Sequence, residues 1–187
     1  MGEVVNIVVL SFVLLLMIFR VNSATDDDDV VHRWCSMTDN NKLCVSVIDA
    51  DSRSNLKNSL NGLCAIIRDR VVADATVTQN KIIPNLLKKT TNFYVNRCLK
   101  DCLENYDDGI YSLKSIDFSH IEGKTYYIDI SAHIAAGLDE VTECESCFTE
   151  QPGTPSPLTS NNDKFVKIGI LVAEILNLVN CNKTEAC

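Results

Sequence analysis

Apolar residues recur at steps of three and four in four separate stretches of this chain. The stretches run from Leu56 to Val71, from Leu99 to Leu113, from Ile130 to Val141 and from Phe165 to Val179. This spacing places the apolar side chains on one face of an α-helix and leaves the opposite face polar. Four such helices joined by modest loops predict an all-α fold, an up-down-up-down four-helix bundle.

The connections between the four patterns contain residues that interrupt helices. Residues 89–92 end the first pattern, residues 115–123 separate the second from the third, and residues 151–157, rich in proline, separate the third from the fourth. Pro84 falls inside the first helical run, where we expect it to kink the helix. Only 7 glycines and 4 prolines occur in 187 residues, which is few for a turn-rich β scaffold.

The first residues have the features of a cleaved signal peptide. Residues 4–19 are apolar apart from one asparagine and one serine, and small residues follow. This stretch is short for a membrane span, although the acidic start leaves an uncleaved anchor as an alternative. We assign residues 1–24 to the signal peptide, with cleavage after Ser23 or Ala24. The mature protein is then expected to be secreted, without a membrane segment, and glycosylated at Asn182 in its N-x-[ST] sequon.

Nine cysteines are many for a chain of this length, and a secreted chain keeps them paired. Cys35 and Cys44 flank a turn-forming segment, so we expect their disulfide to clip a short helical hairpin. This gives an N-terminal hairpin over residues 25–53, a four-helix bundle over residues 54–181 and a C-terminal tail over residues 182–187.

Two further pairs of cysteines lie at helical spacing on the second and third helices. Cys98 and Cys102 are four residues apart, and Cys144 and Cys147 are three apart. The axial steps are about 6 Å and about 4.5 Å at 1.5 Å per residue. On antiparallel neighbouring helices, disulfides Cys102–Cys144 and Cys98–Cys147 would then form two rungs of one ladder. A Cys₄ zinc site is the alternative for these residues, and an oxidising compartment disfavours it.

Three cysteines remain, so at least one thiol is free or pairs with another molecule. Cys64 lies near the start of the first helix and Cys181 at the end of the fourth, which is the same end of an up-down bundle. The pairings Cys64–Cys181 and Cys181–Cys187 are both within reach. The third option is a free, buried Cys64 that acts as a small apolar side chain.

Charge and motifs favour a binding protein over an enzyme. The chain has 17 Lys and Arg against 25 Asp and Glu, a net charge of -8, which argues against a nucleic-acid partner. His32, His120 and His133 have no partners at metal-ligand spacing, and no nucleophile elbow or phosphate-binding loop occurs. Glu104 and Asp108 are a carboxylate pair, but one convex helix face provides no cleft for glycoside chemistry. We therefore expect no catalytic residues, no metal and no cofactor.

Several segments resemble motifs of the plant invertase/pectin methylesterase inhibitors. Residues 35–44 resemble the hairpin signature, and residues 101–108 (DCLENYDD) resemble the second-helix motif. Residues 130–132 with 143–148 resemble the third-helix motif, and residues 156–159 resemble the start of the fourth helix. The matches occur in the family order over nearly the whole mature chain.

The resemblance implies a four-helix bundle with an N-terminal helical hairpin. It also implies disulfides Cys35–Cys44 and Cys102–Cys144. Its functional implication is an extracellular inhibitor that binds one cell-wall carbohydrate enzyme in a 1:1 complex in the apoplast. The other five cysteines are additional to the four that the family usually has.

The target implied by the resemblance is pectin methylesterase or acid invertase. Esterase inhibitors turn an acidic helix face, E-x-x-x-D-x-x-D, to the enzyme; Glu104 and Asp108 match it, and Tyr111 takes the last position. Glu143 stands where esterase inhibitors often have threonine, and residues 115–129 lack the Pro-Lys-Phe insert of the invertase inhibitors. We predict a pectin methylesterase as the target, with these four residues facing it. The alternatives are an inhibitor of acid invertase and a secreted, disulfide-bonded helical-bundle ligand of a receptor.

Overall fold

The computed structural model describes the backbone of residues 30–119, 121 and 124–184. Side chains are described for the same residues except 124–125 and 182–184. The predicted signal peptide, His120, Cys187 and the side chain of the predicted glycosylation site Asn182 therefore lie outside the described parts.

The described residues form helices and connecting segments, which confirms the all-α prediction. In chain order the elements are α1 (residues 30–35), α2 (Asn41–Asp49), a 3₁₀ turn (Ser54–Leu56), α3 (Leu60–Val77), a π-helical turn (Thr78–Ile82), α4 (Ile83–Lys89), α5 (Phe93–Lys114), α6 (Lys124–Thr149) and α7 (Thr159–Thr184). Within the described residues, none of these helices is both long enough and apolar enough to span a membrane.

The disulfide Cys35–Cys44 joins α1 to α2, as predicted, with the two Cα atoms 5.5 Å apart. Asn40 ends the intervening turn, and its side chain accepts a hydrogen bond from the amide of Leu43 in the first turn of α2. An asparagine in this position satisfies an amide that the helix itself leaves without a partner. The hairpin packs against α3 and α7.

The first long helix begins later than its apolar pattern predicts. Leu56 lies in the 3₁₀ turn, and α3 begins at Leu60, where the side chain of Ser59 accepts a hydrogen bond from the amide of Gly62. The chain at Leu56 crosses so close to α3 that a Cβ at Gly62 would lie 2.0 Å from the Leu56 carbonyl oxygen. Apolar spacing did not reveal this crossing, because Leu56 continues the spacing while lying outside the helix.

Pro84 marks a local change of helix type. The five residues before Ile83 form a π-helical turn, in which the Ile83 amide donates to the carbonyl of Thr78, five residues back. Pro84 has no amide hydrogen and its ring crowds the carbonyl four residues earlier, so a regular α-helical ladder cannot run through this point. The wider π turn accommodates the interruption.

The long helices pack as neighbouring pairs: α5 against α3 and α6, and α7 against α3 and α6. Side-chain contacts show that α3 and α5 run antiparallel, because Arg68 bonds to the carbonyl of Ile116 while Gln79 bonds to Asp107. The helices enclose one apolar core. Predicted helix-face residues that are fully or almost fully buried are Leu63, Ile67, Val71, Leu99, Tyr106, Leu113, Ile134, Val141, Ile168, Val172 and Ile175.

Two disulfide rungs connect α5 to α6. Cys98 pairs with Cys147 and Cys102 pairs with Cys144, with Cα separations of 5.7 Å and 4.7 Å. Both pairings match the antiparallel register that the sequence predicts. The zinc alternative is wrong because these sulfur atoms are bonded to one another and are not thiolate ligands.

Of the three remaining cysteines, the structure describes two. Cys64 is a free, fully buried thiol on α3, whereas Cys181 is disulfide-bonded. The alternative pairing Cys64–Cys181 is therefore wrong. Burial raises the pKa of the Cys64 thiol far above its ordinary value, so Cys64 behaves as an apolar core side chain and is not a nucleophile.

Candidate functional site

Three of the four predicted interface residues lie along one outward stripe of α5. Glu104, Asp108 and Tyr111 are four and three residues apart and are all exposed, and Tyr111 has 72% of its surface accessible. The opposite face of α5 is held in the core by residues such as Leu99 and Leu113. The heptad-like spacing of α5 therefore presents these three side chains to solvent on a rigid element.

The acidic residues on and beside this stripe of α5 differ in their partners. Asp101 lies 4.0 Å from Arg97, and Asp107 accepts a hydrogen bond of 2.9 Å from Gln79. Within the described part of the chain, the carboxylates of Glu104 and Asp108 form neither a hydrogen bond nor an ion pair. Both charges are therefore available to a cationic partner without first breaking an internal contact.

A shallow groove runs beside these carboxylates, between the π-helical turn and α5. Its lining residues are Gln79, Leu103, Glu104, Asp107 and Asp108. Sequence reasoning did not include Gln79 or Asp107 in the site. Asp107 lies within the quoted second-helix motif, but no local signal in the sequence places Gln79 against α5.

Glu143 is exposed on α6, beside the rung formed by Cys102 and Cys144. Because that disulfide fixes the register of α5 against α6, Glu143 lies at nearly the same axial level as Glu104. No described contact joins Glu143 to the three α5 residues. The structure therefore places the four predicted residues on the outer surfaces of two neighbouring helices and brings three of them onto one stripe.

A buried polar network holds α5, α6 and α7 together behind this surface. The hydroxyl of Tyr106 donates to Oδ1 of Asn162 at 2.7 Å, and the Asn162 amide donates to Glu145 at 2.6 Å. Thr159 also donates to Glu145. Burial raises the pKa of the Tyr106 phenol well above its ordinary value, so the hydroxyl stays protonated and remains a donor.

The arrangement is suited to binding a macromolecule. The exposed charges lie on an open helical surface beside one shallow groove, and the described residues that line this groove include neither a histidine base nor a serine or cysteine nucleophile. Among the described residues, no group of three or more histidine, cysteine or acidic side chains is arranged to hold a metal ion. An exposed tyrosine such as Tyr111 is instead typical of a protein interface, and the carboxylates beside it can select a cationic partner.

Comparison with known proteins identifies the kind of binding protein. The family model described as plant invertase/pectin methylesterase inhibitor matches residues 29–172. This chain belongs to that family. Its members are inhibitors, which confirms both the resemblance seen in the sequence and the prediction that the protein is not an enzyme.

Individual family members share about a quarter of their residues with this inhibitor. A pectinesterase inhibitor from Actinidia deliciosa is 28% identical over 176 residues, covering 91% of this chain and 93% of that protein. A cell wall / vacuolar inhibitor of fructosidase 2 from Arabidopsis thaliana is 26% identical over 138 residues, covering 74% of this chain and 75% of that protein. The two identities are too close to each other to decide whether the target is a pectin methylesterase or an invertase.

A solved structure shows the same fold. The crystal structure of mutant form A of a pectin methylesterase inhibitor from Arabidopsis matches this family member with a TM-score of 0.59 at 19% identity. The match covers 76% of this chain and 92% of the other. At this identity the similarity supports the helical fold and leaves the choice of target enzyme to other observations.

Proposed function

We propose that the protein is a secreted inhibitor that binds a cell-wall pectin methylesterase in a 1:1 complex. The bundle would lie across the substrate groove of the enzyme and exclude the polymer. The outward stripe of α5 supplies the central contacts through Glu104, Asp108 and Tyr111, and Glu143 extends the surface onto α6. No covalent step is needed, because inhibition follows from occupancy of the groove.

The observation that carries this proposal is the pair of unengaged carboxylates beside an exposed tyrosine. Glu104 and Asp108 are acidic and exposed, they have no partners among the described residues, and they project from a helix that two disulfides join to its neighbour. Tyrosine is common among the residues that contribute most to protein–protein affinity. With a net charge of -8, the inhibitor would also be steered towards a basic enzyme surface.

Secretion into the apoplast is part of the same proposal. The sequence has a predicted signal peptide over residues 1–24, and the structure contains disulfides that persist in oxidising compartments. One relative is named as a cell wall / vacuolar inhibitor. Glycosylation at Asn182 would then occur along the secretory route.

Acid invertase is the second candidate target. The similarity to the fructosidase inhibitor, 26% identity, is close to the 28% identity with the pectinesterase inhibitor. Tyr111 and Glu143 also depart from the residues that the esterase inhibitors usually have. The absence of the Pro-Lys-Phe insert from residues 115–129 favours the esterase. The receptor-ligand alternative is less favoured, because the family description names inhibitors.

Parallel inhibition assays test the proposal. The mature protein, beginning at Ala24 or Thr25, is titrated against a purified pectin methylesterase and a purified acid invertase. Stoichiometric loss of esterase activity, with invertase unaffected, is the expected result. Inhibition of invertase alone would show that the second candidate target is the correct one. Inhibition of neither enzyme would contradict both proposed targets. Protein denatured after reduction of its disulfides is the control for non-specific effects.

A further inference from the structure

One stretch of this acidic protein has the opposite charge. Residues 75–100 contain five of the 17 basic residues and no aspartate or glutamate, whereas the whole chain has a net charge of -8. The stretch covers the end of α3, the π-helical turn, α4 and the start of α5. Because α4 packs against α5, these positive charges lie on neighbouring elements of the surface.

Most of the basic side chains in this stretch are unengaged. Its four lysines are exposed and, within the described part of the chain, form neither a hydrogen bond nor an ion pair: Lys81, Lys88, Lys89 and Lys100. The fifth basic residue, Arg97, lies 4.0 Å from Asp101 and 3.7 Å from Glu150. The two acids that border the stretch here are therefore offset by Arg97, and the lysines keep their charge for a partner.

An exposed aromatic ring lies within the same stretch. Phe93 is the first residue of α5 and has 86% of its surface accessible. Asn92 caps this helix, because its side chain accepts hydrogen bonds from the amides of Tyr94 and Val95. The Tyr94 hydroxyl donates to the carbonyl of Cys147 on α6. Phe93 therefore presents an open ring face from a backbone that is held in place.

Cations beside an exposed aromatic ring fit a partner that has both anionic groups and apolar ring faces. The C–H face of a sugar ring can pack on an aromatic ring, and a carboxylate on the same sugar attracts lysine ammonium groups. The lysines are distributed over the π-helical turn, α4 and α5, so a polymer can reach them and a single sugar cannot. Each exposed contact is weak by itself, whereas several contacts to one polymer chain reinforce one another.

We propose that this basic face, formed by Lys81, Lys88, Lys89, Phe93 and Lys100, binds a linear polyuronate. The choice of polymer rests on the proposed function, because hydrolysis of the methyl esters of pectin leaves carboxylates on that polymer. Binding would retain the inhibitor where its target enzyme has been active. An anionic lipid surface is the less favoured partner, because the anionic leaflet of a cell membrane faces the cytoplasm and this protein is expected to be secreted.

The net charge of the inhibitor opposes this binding at long range. At about 0.1 M salt the Debye length is about 10 Å, so acidic residues on remote parts of the bundle are screened from the polymer. Along α5 the nearest unengaged acid is Glu104, one helical turn from Lys100. Lys88 and Lys89 lie on α4, whose seven residues include no acid. These two lysines are therefore the main anchors of the basic face.

The test is retention of the mature protein on immobilised polygalacturonate at about 0.1 M salt, with no enzyme present. Two control polymers separate charge from ring: fully methyl-esterified polygalacturonate has the rings without the charge, and polyglutamate has the charge without the rings. We expect saturable binding to polygalacturonate and binding to either control that is at least about 5-fold weaker. Binding should be lost at about 1 M salt, where the Debye length is about 3 Å.

Variants show whether the named residues carry the binding. Lys88→Gln with Lys89→Gln should weaken binding to polygalacturonate by at least about 10-fold. Phe93→Ala should weaken it by about 5-fold and should leave the weaker binding to polyglutamate unchanged. All three side chains are exposed, so the melting temperature should change little.

Matched controls remove the same chemistry from other parts of the surface. Lys42→Gln with Lys114→Gln removes two exposed lysines from α2 and from the far end of α5, and Tyr126→Ala removes an exposed ring from α6. Both control variants should bind polygalacturonate as the parent does. Equal binding of the parent to polyglutamate or to anionic phospholipid vesicles, or equal losses in the basic-face and control variants, would overturn the proposal.

Separate readouts distinguish this proposal from the proposed function. Lys88→Gln with Lys89→Gln should inhibit the esterase as the parent does, because neither lysine lies on the predicted enzyme-binding stripe. An inhibitor that blocks the esterase but does not bind polygalacturonate would overturn the basic-face proposal alone. A protein that binds polygalacturonate but inhibits no esterase would contradict the proposed function and support the basic face.

Discussion

The side-chain Nε2 of Gln79 donates a hydrogen bond to Oδ1 of Asp107 across 2.9 Å, and so joins the π-helical turn to the outward face of α5. The bond engages Asp107 internally and leaves Glu104 and Asp108 as the unengaged acids beside it. On the acidic face of α5, Asp107 therefore stabilises the bundle, whereas Glu104 and Asp108 are available to bind a partner.

Tyr111→Ala is expected to weaken binding to the target enzyme by about 2 kcal/mol, or about 30-fold. Tyr111 is 72% exposed, so the melting temperature should change little. Phe93→Ala is the matched control, because Phe93 is 86% exposed at the other end of α5. Inhibition constants of the three proteins provide the measurement. If the two substitutions changed the inhibition constant equally, Tyr111 would not be a central contact of the interface.

The two disulfide rungs should stabilise the bundle non-additively. With Cys102–Cys144 intact, Cys98–Cys147 closes a ring of about nine residues, so replacing Cys98 and Cys147 by alanine should cost about 2–3 kcal/mol. Replacing Cys102 and Cys144 should cost a similar amount. Without either rung, closure of the 42-residue or 49-residue segment is also lost, and the total should reach about 6–7 kcal/mol.

Urea unfolding of the three variants measures these costs. A total equal to the sum of the separate losses would contradict this account of the ladder. The inhibition constant should be unchanged when only Cys98 and Cys147 are replaced, because Cys102–Cys144 continues to set the register beside Glu104.

Asn162→Ala should destabilise the bundle more than its small loss of volume suggests. Asn162 is 3% exposed and connects Tyr106 to Glu145. The substitution removes the partners of a buried hydroxyl and of a carboxylate, at an expected cost of about 2–4 kcal/mol. Tyr106→Phe removes the hydroxyl itself and should cost about 1 kcal/mol. Thermal unfolding compares the two, and a larger loss for Tyr106→Phe would contradict the assigned network.

Glu174 should make stability depend on pH. Burial of its carboxyl raises the pKa above the ordinary value of 4.5, with Asp39 nearby adding to the shift, while the Asp39 amide, 3.4 Å from Oε1, opposes it. The folded state therefore holds a proton that the unfolded state releases. The stability contributed by Glu174 is complete below the unfolded pKa and is lost as pH rises through the folded pKa.

Glu174→Gln removes this titration. The melting temperature of the variant relative to the parent should therefore rise as the pH increases from the ordinary pKa of 4.5 through the raised pKa of the folded state. The buried Oε2 of Glu174, which has no hydrogen-bond partner in the described structure, supports the same direction. A difference in melting temperature that is constant over this range would contradict the assignment.

Local patterns in the sequence predicted the features that depend on spacing alone. The apolar seams indicated the helices, and the turn between Cys35 and Cys44 indicated the hairpin. The four- and three-residue cysteine spacings were compatible with the two rungs and also with a zinc site. Each of these follows from the geometry of one helix or from one antiparallel register between two neighbouring helices, so local spacing is sufficient to predict it.

Features that depend on how helices rotate against one another were not predictable in this way. The Gln79–Asp107 bond and the network through Asn162 join residues that are distant in sequence, and any polar residue can serve as such a partner. Pro84 indicated an interruption of the helix. Both a kink and a π-helical turn relieve the steric conflict at a proline, so the sequence could not show which of the two occurs. Leu56 continued the apolar spacing although the chain had not yet entered α3.

The most direct test of the proposed interface removes its two unengaged charges. Association of the mature inhibitor with pectin methylesterase is measured at low salt for the parent and for the Glu104→Gln, Asp108→Asn variant. The matched control, Asp49→Asn with Asp163→Asn, removes the same charge from α2 and α7. We expect the interface variant to associate at least about 10-fold more slowly than the control. Equal rates for the two variants would contradict the account of the α5 face.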